Sequence, residues 1–410
     1  MITANSQQIT TPIITLLIYI VLTYLPLIYI YLPIIGKLRI VLLSGIFLPV
    51  SYIATQNKYT NYTAYKNPIF FYWIIFLILM VFGLLVSFDR GVTLQIIEVN
   101  IKYFLVFIVM VKIIDSQKRL DIILKTLVVC GTIMAINTIY NYFFSRETLL
   151  GGYRALALDR GLFSDPNDLA LLFNTTLPFA LYFFMISEKN KLFLIAIITI
   201  VIAIIFTFSR GGFLGLCMSG VGFFLFFARK QKKYLFLILA IIVIFLQFAS
   251  EEYLNRLSTI TDWEVDPTTG MTETRLDAWQ TVLAEGIKYP ILGVGAGNSY
   301  YLAGGAMRDW HQVHNTFIQV IVETGVIAFI FYILLFVSPL KISKQIIRKI
   351  NNTQNRSVIL SKIIIISFMS YAATVFFLPQ AYSPLIYTLT AINLIQMELA
   401  AKMPSNKEHL

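Results

Sequence analysis

Polar residues are sparse along this chain, and their positions set its organisation. Twelve apolar stretches follow one another, at residues 13–32, 38–54, 69–87, 92–113, 120–144, 168–187, 192–208, 212–228, 234–250, 315–337, 361–378 and 384–400. A helix that crosses a bilayer needs about 20 mostly apolar residues, so the pattern predicts about twelve transmembrane helices. The seventh and eighth are parted only by Ser209-Arg210-Gly211. Two spans of about 17 residues suit bilayer thickness better than one double-length helix. The first run, Ile13 to Leu32, is too long for a signal-peptide core and no small-residue cleavage site follows it, so it reads as a retained span.

One interval breaks the rhythm. Residues 251–313 form a long polar stretch, and His314-Asn315-Thr316-Phe317 then leads back into an apolar helix. Inside it, Leu276, Trp279, Leu283 and Ile287 recur at helical spacing, which predicts an amphipathic helix lying on the membrane surface or on neighbouring helices. Thr274 is a candidate N-cap with Asp277 three residues on, and Tyr289-Pro290 ends the helix. The expected fold is an all-α polytopic membrane protein. It is a single bundle over residues 1–410, with 251–313 as one large, partly helical extracytoplasmic loop.

Composition enforces the membrane reading. The chain is 58% hydrophobic and 13% charged, with a mean hydropathy of +0.77, more apolar surface than one soluble core can hide. A formal charge of +11 raises the possibility of nucleic acid, but the basic residues fall as a topology signal instead. With the N-terminus cytoplasmic, inner segments hold 19 Lys and Arg and outer segments 11, so both termini are expected inside. Lys outnumbers Arg 15 to 4 on the inner side, whereas Arg outnumbers Lys 9 to 2 on the outer side. Lysine serves as a generic point charge, while the guanidinium fork matches phosphate oxygens in two parallel bonds. The outer arginines therefore point to an anionic ligand. Cys130 and Cys217 both lie in apolar stretches, which argues against a disulfide framework.

Candidate chemistry gathers on that outer side. Arg210, in Phe208-Ser209-Arg210-Gly211-Gly212, has no acidic residue in its two flanking helices, and a guanidinium at a membrane boundary needs a partner. Arg275 opens the amphipathic helix, where the helix dipole disfavours a cation unless an anion binds beside it. An ion pair with Asp277 or Glu273 is the alternative. His314 has an imidazole suited to general-base work; a zinc pair with His311 is the weaker reading, since no further ligands are evident. Gly293-Val294-Gly295-Ala296-Gly297 follows a proline rather than a strand, so it reads as a tight turn and not a nucleotide loop. Asp165 or Ser164 caps, and Pro166 starts, the sixth helix beside Asn167. Glu98 and Lys102 stand one turn apart and can neutralise each other. Glu323, about nine residues into the tenth span, needs a partner that the sequence does not name.

In order and spacing, these pieces resemble the O-antigen ligase and polymerase superfamily of bacterial inner-membrane glycosyltransferases. The resemblance rests on Gly161-Leu162-Phe163-Ser164-Asp165-Pro166-Asn167, Ser209-Arg210-Gly211, Thr274-Arg275 with Trp279, and Pro290-Ile291-Leu292-Gly293-Val294-Gly295. His314-Asn315 with Glu323 and Gly325 completes it. It covers about residues 160–335. The ligases carry His, then Asn, Ser or Gln, nine residues, and Gly-x-x-Gly; here Ala328 replaces the last glycine. The resemblance implies a glycan donor on undecaprenyl pyrophosphate, held by Arg210 and Arg275. It implies that His314 deprotonates an acceptor hydroxyl with inversion, without metal or cofactor. Asn167, Asp277 and Asn315 would support the site, with Asp277 the alternative base. A ligase would use lipid A-core as acceptor and a polymerase the growing glycan; a protein acceptor is a further variant. A transporter is the reading from another class, but it predicts internal repeats, and none is evident.

Overall fold

Proline reshapes the start of the chain. Helix α1 (Thr11–Tyr24) stops ahead of Pro26, and two short helices follow, α2 (Ile28–Tyr31) and α3 (Pro33–Lys37). Leu25 and Leu32 each precede a proline, and both leave the helical region, at φ/ψ −128°/66° and −131°/72°. The proline ring clashes with helical backbone at the preceding residue. Residues 13–32 are therefore not one continuous span, contrary to the expectation from hydropathy.

The structure is a computed structural model. It describes residues 10–56, 59, 64–145, 149–150, 154–155, 163, 165–187, 190–229, 231–248, 275–303, 313–350 and 352–402, with backbone alone at 149, 150, 232, 233, 244, 275, 277 and 303. After α4 (Ile40–Ile53) come α5 (Pro68–Gly83), α6 (Arg90–Ile113), α7 (Gln117–Phe144) and α8 (Pro166–Ile186). Then follow α9 (Asn190–Phe206), α10 (Arg210–Phe223, continued by a wider turn to Ala228), α11 (Lys232–Phe248) and α12 (Arg275–Gly286). The last three are α13 (Thr316–Ile350), α14 (Arg356–Val375) and α15 (Pro384–Ala401). A two-residue hairpin, β1 (Leu149–Leu150) and β2 (Arg154–Ala155), lies between α7 and α8. Among the described residues, five helices are long and apolar enough to cross a membrane: α7, α8, α10 with its extension, α13 and α14. Those at α1, α4, α5 and α9 are apolar but shorter.

Two of the five form the centre. In both α8 and α14, 83% of the most apolar window is buried by other helices, and α10 and α13 pack on α14 beside them. Small residues allow the close approach. A Cβ at Gly215 would sit 2.1 Å from the Thr374 hydroxyl. Asn174 Nδ2 uses the proximity to donate to the Gly212 carbonyl at 2.9 Å and to Thr374 Oγ1 at 3.2 Å. Away from this centre, Ile14, Phe71, Ile78 and Val243 are exposed, as lipid-facing side chains of a bundle are. The Glu98–Lys102 pair forms at 2.5 Å on the outside of the bundle, with Glu98 exposed and Lys102 half-buried. It is an exterior pair and not a buried one.

Helix α13 is broken. Gly325 adopts φ 82°, ψ 169° inside it, and the chain that follows α12 fits into the break. Val326 N–H donates to the Pro290 carbonyl at 2.9 Å and Val294 N–H to the Val322 carbonyl at 3.0 Å. A side chain at Gly325 would meet the Ile291 carbonyl at 2.1 Å. The helix then runs on to Ile350, well past the predicted end at residue 337.

Connecting segments sort to two ends. At one end, Phe88 N–H donates to the Val294 carbonyl, Arg154 reaches Asn167, and Gln380 reaches Asp168. At the other, Thr10 meets Tyr59, the Arg119 guanidinium lies over the Tyr59 ring, and Arg356 pairs with Asp121. Burial raises the Asp115 carboxyl above its ordinary range there, and the Arg119 guanidinium at 2.7 Å opposes that shift.

Candidate functional site

Three helices begin side by side at the first of these ends. Each is capped by a residue type that accepts from first-turn N–H groups. Asp165 accepts from Asn167 N–H at 2.7 Å for α8, and Ser209 from Gly212 N–H at 3.0 Å for α10. Asn315 accepts from Phe317 and Ile318 N–H at 2.9 and 3.0 Å for α13. The starts touch through specific contacts. A Cβ at Gly212 would lie 2.6 Å from Ala170 Cβ, so the first turns of α10 and α8 are in contact. Gln380 joins α8 to α13: its Nε2 donates to Asp168 Oδ1 at 2.6 Å and its N–H to Thr316 Oγ1 at 2.9 Å. Helix N-termini carry partial positive charge and unshared N–H groups, so three together favour an anion.

Basic side chains enter the same place. Arg210 is the first residue of α10 and is half-buried. Arg154 is only 5% exposed; its Nη2 donates to Asn167 Oδ1 at 3.0 Å and its Nε to the Thr207 carbonyl at 3.3 Å. Asn167 Nδ2 in turn donates to Asp165 at 2.7 Å, so the carboxylate orients the amide that receives the guanidinium. His314 is half-buried and stands directly before the α13 cap. It adopts φ +42°, and Phe208, directly before the α10 cap, adopts φ +51°. Left-handed backbone is costly for such residues and collects at functional sites.

Helix α12 ties the elements together. Trp279 is buried, donates from Nε1 to the Val313 carbonyl at 2.7 Å, and packs on Phe376 and Phe377. Phe377 also lies against Gly211, beside Arg210. The backbone of Arg275, the first residue of α12, lies one turn before Trp279. Arg210, the start of α12 and His314 therefore surround one aromatic cluster. The stripe of α12 consists of Leu276, Trp279, Val282 and Leu283, packed on Val313, Ile318 and Val322. It lies on neighbouring helices rather than a membrane surface. Ile287, predicted for this stripe, is 74% exposed because the helix ends at Gly286.

Glu323 holds the glycine-rich turn against this assembly. It is 1% exposed; Gly297 N–H donates to Oε2 at 2.7 Å, Tyr382 O–H to Oε2 at 2.7 Å and Ser299 O–H to Oε1 at 2.6 Å. Gly293, Gly295 and Gly297 have φ of +66°, +91° and +81°, conformations open to residues without a Cβ. The turn serves to dock the chain on α13 and on Ser87, Asp89 and Thr93, which receive Asn298 Nδ2.

Below the polar site an apolar cavity of about 460 Å³ opens between α8, α10 and α11, lined by Leu177, Leu181, Phe213, Leu216, Cys217 and Phe245. Phe213 is one turn from Arg210, so the cavity begins where the polar site ends.

The structure thus gathers Arg210, Asn167, Asn315 and His314 at one end. Asn167 orients Arg154, and Asn315 acts as a helix cap. The side chains of Arg275 and Asp277, together with Thr274, Glu273 and His311, lie outside the described residues. Among the described residues, no three His, Cys, Asp or Glu side chains are grouped to hold a metal. Sequence reasoning missed Arg154, Asp168 with Gln380, and the partners of Glu323. Only the Arg-rich character of the outer segments hinted at the first; the others come from segments distant in the chain.

Residues 195–333 match a family model described as O-antigen ligase, a stretch that includes Arg210, α12 and His314. No curated protein matches the chain.

Proposed function

We propose that this chain, a member of the O-antigen ligase superfamily through residues 195–333, transfers a glycan from undecaprenyl pyrophosphate to an acceptor hydroxyl on the outer face of the bacterial inner membrane. One observation carries the reading. Three helix N-termini, Arg154, Arg210 and His314 meet above an apolar intramembrane cavity. An amphiphile with an anionic head and an isoprenoid tail suits that arrangement: the tail occupies the cavity and the pyrophosphate meets Arg210 and Arg275. His314 accepts the proton of the acceptor hydroxyl as its oxygen attacks the anomeric carbon. The carbon–oxygen bond to the pyrophosphate breaks, and the leaving group carries away the electron pair with inversion. The arginines and helix ends stabilise the charge that develops on it. No metal takes part.

Separate assays of donor binding and transfer test the assignment. Arg210→Lys and Arg275→Lys keep the charge and lose the planar fork. Each is expected to weaken donor binding and slow transfer by about 30- to 1000-fold, equivalent to roughly 2–4 kcal/mol. His314→Ala is expected to bind donor normally and to transfer nothing. Full activity with normal donor binding in Arg275→Lys refutes the clamp; robust transfer by His314→Ala refutes the base and turns attention to Asp277.

The acceptor expected for a ligase is lipid A-core. Ala328, standing where the ligases have glycine, favours a second reading, a polymerase that extends the same lipid-linked glycan. A deletion strain separates them: accumulated lipid-linked polymer means ligase, and core bearing one repeat unit means polymerase.

A further inference from the structure

At the end of the bundle remote from His314, α13 continues as an amphipathic extension. The part beyond the break at Gly325, Val326–Ile350, has 25 residues and at 1.5 Å per residue reaches about 37 Å, more than the hydrocarbon core of about 30 Å. Its last turns therefore emerge at the opposite membrane surface. There Ile342 and Ile346 are buried, while Lys341, Lys344, Arg348 and Lys349 are exposed. None of these four forms an ion pair or side-chain hydrogen bond with another described residue. Four basic groups on one short helical segment without described carboxylates repel one another unless anions gather there.

Beside them lies a groove of about 250 Å³ between the ends of α13 and α15. Its floor is Ile342, Ile346, Ile350, Met397, Ala400 and Ala401, and Lys349 and Gln345 stand at its edge. Helix α15 starts at Pro384, so Met397–Ala401 lie about 20–26 Å along it, near the depth where hydrocarbon gives way to head groups. The contact between the two helices is fixed by Asn393 Nδ2, which donates to Ser343 Oγ at 3.0 Å and to the Pro339 carbonyl at 3.3 Å.

We propose that this groove binds one anionic phospholipid, an acyl chain lying on Ile342, Ile346 and Met397 and the head-group phosphate meeting Lys349, with Lys344 and Arg348 adding to the local positive charge. Charge and shape commit it to a lipid: the floor is apolar, the rim cationic, and the depth interfacial. Basic pockets between membrane helices on the cytoplasmic side recognise anionic head groups in this way. The assignment to the cytoplasmic leaflet rests on the proposed orientation of the chain; the lipid site itself does not.

Native mass spectrometry of the full chain, released from bilayers with equal phosphatidylglycerol and phosphatidylethanolamine, tests the proposal. Wild type is expected to retain phosphatidylglycerol at least about tenfold over phosphatidylethanolamine, since each basic group near such a surface contributes appreciably. The triple variant Lys344→Gln, Arg348→Gln, Lys349→Gln alters only exposed side chains and is expected to lose that preference. Ala401→Trp, also at an exposed position, fills the groove and is expected to lose retention of lipid while keeping every charge. Equal retention of the two lipids by wild type overturns the proposal, as an acidic protein partner would predict. So does a preference unchanged in the triple variant, or retention unchanged in Ala401→Trp. Glycan transfer measured on the same samples reports on the remote site separately, so neither reading can fail in the other's name.

Discussion

Replacing Glu323 tests how the glycine-rich turn is held. Its carboxylate takes three short hydrogen bonds, from Gly297 N–H at 2.7 Å, Ser299 O–H at 2.6 Å and Tyr382 O–H at 2.7 Å. Weaker contacts come from Ser299 N–H at 3.3 Å and Gln319 at 3.5 Å. Glu323→Ala strips the acceptor from all of them. A buried donor left without a partner costs about 1–3 kcal/mol. The hydroxyls can rotate towards other acceptors, whereas Gly297 N–H is fixed by its backbone. The net loss expected is about 3–5 kcal/mol, in the range for breaking a buried polar cluster. Glu323→Gln keeps one acceptor oxygen for Gly297 and Tyr382 and presents its NH₂ to the Ser299 hydroxyl, which can accept; it loses only the long contact from Ser299 N–H, so its cost is about 1 kcal/mol. Thermal melting of the detergent-solubilised chain reads the difference: the alanine variant melts several degrees below the glutamine variant, which lies close to wild type. Transfer follows the same order, because the turn packs between the α5–α6 connection and α13, the helix that starts just after His314. An alanine variant that melts and transfers like wild type, or a glutamine variant as damaged as alanine, refutes the account.

Asn167→Ala removes the acceptor that Arg154 reaches at 3.0 Å; a charged hydrogen bond of this kind contributes about 1.5–3 kcal/mol, so both melting point and transfer should fall, and an unchanged variant would make Arg154 irrelevant to the site. Cysteine labelling at positions 270 and 300 is expected to report the extracytoplasmic side and at 350 the cytoplasm; the reverse pattern removes the basis of the functional proposal. Purified enzyme in chelator is expected to continue transferring glycan, and activity that disappears and returns with zinc or magnesium would establish a metal mechanism instead.

Hydropathy alone marks where most helices of this chain lie, because apolar runs longer than a bilayer is thick have few other uses. The cap at Asp165 is equally local: a short polar side chain before an apolar run competes well for first-turn N–H groups. Arg210 and His314 stand out for the same reason, as polar groups at the boundary of apolar helices. Other features needed the tertiary structure. Hydropathy averages over Pro26 and Pro33, yet a single ring clash ends α1. Gly325 sits inside a single predicted span, and only the carbonyls of Pro290 and Ile291 explain why the helix opens there. Glu323 finds its partners 24, 26 and 59 residues away, and Arg154 depends on a carbonyl 53 residues on. Local propensity and hydrophobicity act over a few residues and can be read from the chain. Hydrogen bonds that join distant segments exist only once those segments are packed, and such bonds align the three helix ends at the proposed site.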